Sequence, residues 1–172
     1  MVGNPDGKPT LEILKNIQLF RVFTDSELQQ ILSLGSAESH EAYSNIVIEG
    51  ELSWSLYLIL NGTVGIFKTN PLSENSYDIG QLKEGSFFGE MSLVDDNGRS
   101  ATVRALTDCK VFVISKEAFA GFLNASTERR TRFYERCIKT LVDRLRELND
   151  GYVISQYQLW KSALKKEPGE AA

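Results

Sequence analysis

Gly85-Ser86-Phe87-Phe88-Gly89-Glu90-Met91-Ser92-Leu93-Val94-Asp95-Asp96-Asn97-Gly98-Arg99-Ser100-Ala101-Thr102-Val103 is the stretch on which the fold turns. It is too broken to be one strand, yet it sits between alternating apolar segments and holds three glycines, a glutamate and an arginine. Gly89 leads into Glu90-Met91-Ser92-Leu93, about one turn of helix, whose first N–H groups point outward with partial positive charge and suit an anion. Arg99 lies nine positions past Glu90. Gly98 lets the backbone double back, so the guanidinium fork can close on the same anion. A carboxylate beside a bound phosphate must face another part of the ligand, so Glu90 reads as an acceptor for a hydroxyl. One phosphate, one free hydroxyl and apolar surface on the remaining side describe a ribose 3′,5′-cyclic phosphate with its base.

Outward from this loop the hydrophobic period is two. Ile46-Val47-Ile48 precedes Glu49-Gly50, and Leu56 to Leu60 precedes Asn61-Gly62. Asn61-Gly62 is the strongest two-residue hairpin signal, because both residues tolerate the positive φ of a type I′ turn. Thr63 to Lys68, Tyr77 to Leu82, Ala101 to Ala105 and Cys109 to Ile114 follow. Short strands with frequent glycine between them indicate a sandwich or closed roll rather than a parallel α/β sheet.

Helices flank the strands. Thr10 to Leu19 puts Ile13, Leu14 and Ile17 on one side. Thr24-Asp25-Ser26-Glu27 is a capping box ahead of Leu28, Ile31 and Leu32, and Gly35 is expected to end that helix as a left-handed cap. Ser115 caps a short helix with Phe119, Phe122 and Leu123. A long helix then runs from about Thr127 to Leu148, where Tyr134, Ile138, Leu141, Leu145 and Leu148 have a/d spacing and Cys137 and Val142 widen the stripe. Gly151 is expected to break it before a second amphipathic segment with Val153, Tyr157, Trp160 and Leu164.

The 172 residues are 42% hydrophobic and 24% charged, an ordinary globular composition. Lys+Arg number 19 against 23 Asp+Glu, so the molecule as a whole repels nucleic acid and anionic lipid, and an anion must be held locally. His40 is the only histidine, which argues against an imidazole-held metal and leaves a serine nucleophile without its usual base. The reading is therefore not an enzyme, with no catalytic residue and no metal. The start, Met1 to Asp6, is no signal sequence, and the apolar run Leu56 to Leu60 is far below the ~18 residues that span a bilayer. Cys109 and Cys137 read as reduced, buried thiols, so a cytoplasmic protein is expected.

Phe88-Gly89-Glu90-Met91-Ser92-Leu93, the spacing to Arg99, and Arg99-Ser100-Ala101-Thr102-Val103 resemble the phosphate-binding cassette of cyclic-nucleotide-binding domains. This is the family of the catabolite activator protein and the regulatory subunits of protein kinase A. The resemblance extends from Thr24 through Leu58-Ile59-Leu60-Asn61-Gly62-Thr63-Val64 to the long helix. It implies an α+β, mainly β fold: an eight-stranded antiparallel β-roll with flanking N-terminal helices and a long C-terminal helix. It also implies that Glu90 binds the ribose 2′-hydroxyl and Arg99 the cyclic phosphate, while backbone N–H groups of Gly89, Ser92 and Ser100 complete the cradle, their side chains free to face solvent. The ligand-binding set is Gly89, Glu90, Met91, Ser92, Arg99, Ser100 and Ala101. Ser100 stands where alanine favours cyclic AMP and threonine cyclic GMP. Cyclic AMP is the expected ligand, with cyclic GMP open.

The division expected is a helical segment at 1–23, the nucleotide-binding roll with flanking helices at 24–126, and C-terminal lid or dimerisation helices at 127–172. The a/d seam at 127–148 reads as a homodimer contact, with packing on its own roll as the alternative. Tyr152, Tyr157 and Trp160 read as ordinary helix packing or as a lid over the base. Arg129, Arg130, Arg132 and Arg136 are interleaved with acids and read as a solvated face, and no direct nucleic-acid binding is expected. The expected function is a cyclic nucleotide receptor module that couples binding in the cassette to movement of the C-terminal helices; two other readings stand beside it, a scaffold with a degenerate nucleotide site and the sensor portion of a longer transcription regulator.

Overall fold

The computed structural model describes residues 7–73, 75–95 and 97–165; the chain start at 1–6 and the polar end at 166–172 lie outside them. The elements are α1 (Leu11–Asn16), α2 (Asp25–Leu34), β1 (Gly35–His40), β2 (Asn45–Val47), β3 (Ser55–Asn61), β4 (Thr63–Thr69), β5 (Ser76–Lys83), β6 (Phe87–Phe88), β7 (Thr102–Ala105), β8 (Cys109–Ser115), α3 (Lys116–Asn124) and α4 (Thr127–Lys165). One-turn 3₁₀ helices lie at Gln18–Phe20 and Met91–Leu93. The described residues up to Phe133 form one compact unit and those from Tyr134 a second.

In the first unit two four-stranded antiparallel sheets form the roll, in the orders β1-β8-β3-β6 and β2-β7-β4-β5. Val47, Ile59, Val64, Phe88, Val103, Ala105 and Cys109 cluster in its core. In β8, Val111, Phe112 and Ile114 are all buried, and β3 buries Leu56, Leu58 and Ile59. These strands bury residues on both faces, which is why they read as near-continuous apolar runs. A second apolar centre is aromatic. Phe20, Phe23, Phe119, Phe122 and Phe133 meet ring to ring, with Phe23 stacked on Phe133 at 5.9 Å and Phe119 edge-on to Phe133 at 5.0 Å.

The capping box is complete: the Thr24 hydroxyl accepts from the Glu27 N–H, and Glu27 Oε2 accepts from the Thr24 N–H at 2.8 Å. Glu27 also joins α2 to the start of α4. Its Oε1 accepts from Arg129 Nε at 3.0 Å and from Arg132 Nη2 at 2.9 Å. Arg129 Nη1 donates to the Phe122 carbonyl and Arg132 Nη1 to the Val22 carbonyl. This replaces the expected solvated face for Arg129 and Arg132, because Glu27 and Val22, which they bond, lie about a hundred residues away in sequence.

Three further expectations change. Gly35 is extended, with φ −122°, and opens β1; a Cβ there would collide with the Val113 carbonyl and the Phe112 ring, so close strand approach is what demands glycine. Asn61-Gly62 does not close a hairpin. Only Gly62 has positive φ (+95°), and β3 and β4 belong to different sheets, so the dipeptide is a corner between them. Gly151 does not break α4, which runs unbroken for 39 residues. A single interior glycine costs about 1 kcal/mol, too little to stop a helix already propagating on both sides.

In the second unit, Cys137 and Thr140 are buried, whereas Ile138, Leu145 and Leu148 of the a/d seam are each more than half exposed. Tyr152, Tyr157 and Trp160 are also exposed, with the Tyr157 and Trp160 ring centroids 6.3 Å apart.

Candidate functional site

The loop between β6 and β7 is built around one glycine and one arginine. Gly89 has φ +84°, and a Cβ there would collide with the Ser55 carbonyl oxygen and lie 2.9 Å from Arg99 Nη1. Only a residue without a side chain lets the backbone turn here against β3. Glu90 follows in helical conformation and starts the 3₁₀ turn Met91–Leu93, with Leu93 N–H donating to the Glu90 carbonyl at 3.1 Å and Val94 N–H to that of Met91 at 2.9 Å. Glu90, Ser92 and Arg99 are each 5% exposed, while Met91 faces outward. Three polar side chains are thus buried within ten residues, a costly arrangement unless something satisfies them.

Arg99 reaches the turn from the opposite side. Its N–H donates to the Glu51 carbonyl at 2.9 Å and its carbonyl accepts from Gly50 N–H at 2.8 Å. Gly98 would drive a Cβ to 2.6 Å from the Gly50 carbonyl oxygen, so this glycine serves the close approach of two backbones rather than a sharp reversal of the chain.

The guanidinium is held on several sides. Nε donates to Ser53 Oγ at 3.0 Å, and Nη1 donates to the Ser55 carbonyl at 3.1 Å and to Ser92 Oγ at 3.2 Å. It lies over the Tyr57 ring, 5.3 Å from the centroid, and that ring stacks on Phe88 at 4.7 Å with the planes 2° apart. Nη2 is buried and makes no hydrogen bond to protein among the described residues. Burial pushes the Arg99 pKa down and that of Tyr57 up, and the guanidinium and the phenol oppose the shift in each other. Arg99 nevertheless stays cationic at neutral pH.

Downstream, Ser100 is exposed and its carbonyl accepts from Lys68 Nζ at 2.7 Å. Lys68 also pairs with Glu49, whose hydrogen bond from Lys68 holds its carboxyl below the usual range. Ala101 is half-buried and leads into β7. At the other end, Lys116 Nζ donates to the Asp95 carbonyl at 3.0 Å, which ties the loop to the first turn of α3, and Lys116 N–H donates to the Trp54 carbonyl at 2.9 Å.

The structure therefore brings Gly89, Ser92 and Arg99 into one cluster, with Glu90 buried at the adjoining turn. Ser92 contributes its side chain, which the sequence reading had free to face solvent: the buried hydroxyl accepts from Arg99. Ser53, Tyr57 and Lys68 escaped that reading. Tyr57 follows Ser55 at strand period, and the polar Ser53 and Ser55 just ahead of an apolar strand were the one available signal. Among the described residues no group of histidine, cysteine, aspartate and glutamate could hold a metal ion, and no helix is long and apolar enough to cross a membrane.

Comparison with known proteins agrees with this geometry. The family model described as the cyclic nucleotide-binding domain matches residues 38–126. The chain is 31% identical over 124 residues to a cAMP-dependent protein kinase regulatory subunit of Neurospora crassa, covering 71% of this chain and 31% of that protein. It is 29% identical over 110 residues to a cyclic AMP receptor protein of Thermus thermophilus, covering 64% of this chain and 50% of that one. The chain thus matches half or less of the length of these relatives. A solved cyclic nucleotide-binding domain from Methylobacillus flagellatus superposes with a TM-score of 0.71 at 27% identity, covering 94% of this chain and 84% of that one.

Proposed function

The chain belongs to the cyclic nucleotide-binding domain family, and on that premise we propose that it is a non-enzymatic, cytoplasmic receptor module for a cyclic purine mononucleotide, cyclic AMP by preference over cyclic GMP. The observation that carries the reading is Arg99: a buried cation whose side chain donates to the neutral oxygens of Ser53, Ser55 and Ser92, with Nη2 bonded to no protein group among the described residues. A buried charge of this kind calls for an anion. In this reading Arg99 takes the cyclic phosphate and Glu90 the 2′-hydroxyl. Backbone N–H groups of Gly89, Ser92 and Ser100 complete the cradle, with Met91 and Ala101 beside it. No metal enters.

Occupancy acts by population shift, since only a ligand that binds two arrangements unequally can move the equilibrium between them. The Lys116–Asp95 bond supports a mechanical path from the loop to α3 and its aromatic neighbours Phe119 and Phe122. The 127–172 segment is the responding element, as lid or as dimer contact. The exposed Ile138, Leu145 and Leu148 at heptad spacing support pairing with a second copy. Titration calorimetry with cyclic AMP and cyclic GMP tests the ligand: heat and a thermal shift with either are expected, and neither with both nucleotides overturns the reading. Light scattering tests the pairing. A monomer with and without nucleotide removes it.

A further inference from the structure

We propose that Ser53, Tyr57 and Ser92 are positioning residues which turn Arg99 so that a bound phosphate meets a single nitrogen, Nη2, instead of the two-pronged edge of the guanidinium. The inference rests on the cyclic nucleotide reading and deepens it. A guanidinium has five N–H donors. The one on Nε goes to Ser53 Oγ and the two on Nη1 go to the Ser55 carbonyl and Ser92 Oγ, so the remaining pair sits on Nη2. The acceptors come from two separate segments, the lead into β3 and the turn after Gly89, and together they fix the tilt of the plane from both sides. Tyr57 supports its face and is held in turn by Phe88. A bidentate fork is therefore already spent on protein.

Ser92 has a second part. A hydroxyl that accepts from Nη1 still carries its own hydrogen, so Ser92 offers an O–H donor to the same anion. The cradle is a fixed cation with a serine hydroxyl at its side, and its preorganisation lowers the ordering cost of binding.

Ser53→Ala and Ser92→Ala test this. Each should weaken cyclic AMP binding about five- to tenfold, the size of one hydrogen bond, with the melting temperature nearly unchanged. Ser53→Thr, which keeps the hydroxyl, should return to within about twofold of wild type. The Ser53 hydroxyl accepts from Arg99 Nε, so if it acts through the guanidinium, Ser53→Ala in an Arg99→Lys background should change affinity by less than about twofold. Wild-type affinity in both alanine variants, or the full Ser53→Ala loss in the lysine background, overturns the proposal. A readout without nucleotide keeps it separate from the functional reading. The Arg99 Nε–Hε resonance should be resolved and slowly exchanging in the free protein and should broaden in Ser53→Ala. If wild type binds neither nucleotide but this signal behaves so, the receptor reading falls and the positioning role stands. If the signal is indifferent to Ser53→Ala, the positioning role falls.

Discussion

Arg99 and Glu27 are both charged side chains that the fold takes out of water, and they are treated in opposite ways. Glu27 is surrounded by opposite charge: one oxygen takes two guanidinium groups and the other closes the cap of α2. Arg99 hydrogen-bonds to neutral oxygens, a carbonyl and two hydroxyls, against an aromatic face; the Glu51 carboxylate acts on it electrostatically without a side-chain hydrogen bond to it, and Nη2 is buried with no protein partner among the described residues. The first arrangement is closed and needs nothing further. The second leaves the Nη2 donors without a protein acceptor among the described residues, which is what supports the anion site proposed above. Burial of a charge is thus not by itself a mark of function; what distinguishes the two is whether the counter-charge comes from the chain.

The largest effect that could break this contrast is on binding. Arg99→Ala should weaken cyclic AMP by about a hundredfold while changing stability by only about 1 kcal/mol, because the cation's own desolvation cost disappears with it. Calorimetry and chemical denaturation of the same variant read the two numbers. Glu27→Ala should do the reverse. It leaves two guanidinium groups facing no carboxylate and removes the reciprocal half of the capping box, so stability should drop by about 3 kcal/mol with affinity at 25 °C little altered. A large affinity loss with intact stability there would erase the distinction.

Protonation sharpens it further. Burial alone would raise the Glu27 pKa, but the Thr24 N–H and the Arg129 and Arg132 guanidinium groups outweigh burial and hold it below the ordinary carboxylate value. A depressed folded value means that the stabilisation is fully present above the unfolded pKa of about 4.3 and is lost as pH falls through the folded one. Denaturation midpoints from pH 7 down to pH 3 should show this acid limb in wild type and a shallower one in Glu27→Gln, which keeps an acceptor for the cap. The smallest effect lies outside both sites: Gly151→Ala, with nothing within 4 Å of the added methyl, should stabilise α4 by up to about 1 kcal/mol, seen as raised helical ellipticity on heating.

Signals that are local in sequence survived folding, and signals that depend on a distant neighbour did not. The capping box at Thr24 and Glu27 and the apolar runs of β3 and β8 match the structure, since each is set by adjacent residues or by continuous burial, and Gly89 and Arg99 do come together. β1 was not legible as a strand, because Gly35-Ser36-Ala37-Glu38-Ser39-His40 carries little apolar alternation and is a strand by virtue of its pairing with β8. Gly35 and Gly98 carry no positive φ; each is required by a backbone far along the chain, against Val113 and Gly50. The Asn61-Gly62 corner failed for the same reason, as turn propensity does not say which sheet the next strand will join. Of the site, the arginine and the turn were visible. Ser53 and Ser55 reach the arginine from 46 and 44 residues away, and only their polarity just ahead of an apolar strand marks them.

Trp54 sits between Ser53 and Ser55, the two residues that grip Arg99 from the lead into β3 and its first residue, and its carbonyl is tied to the first residue of α3. The other tryptophan, Trp160, is exposed far along α4. The molecule therefore carries an intrinsic optical reporter: any pull on the guanidinium strains the backbone on either side of the Trp54 indole, while emission from Trp160 supplies a red-shifted background against which the change can be read without a label.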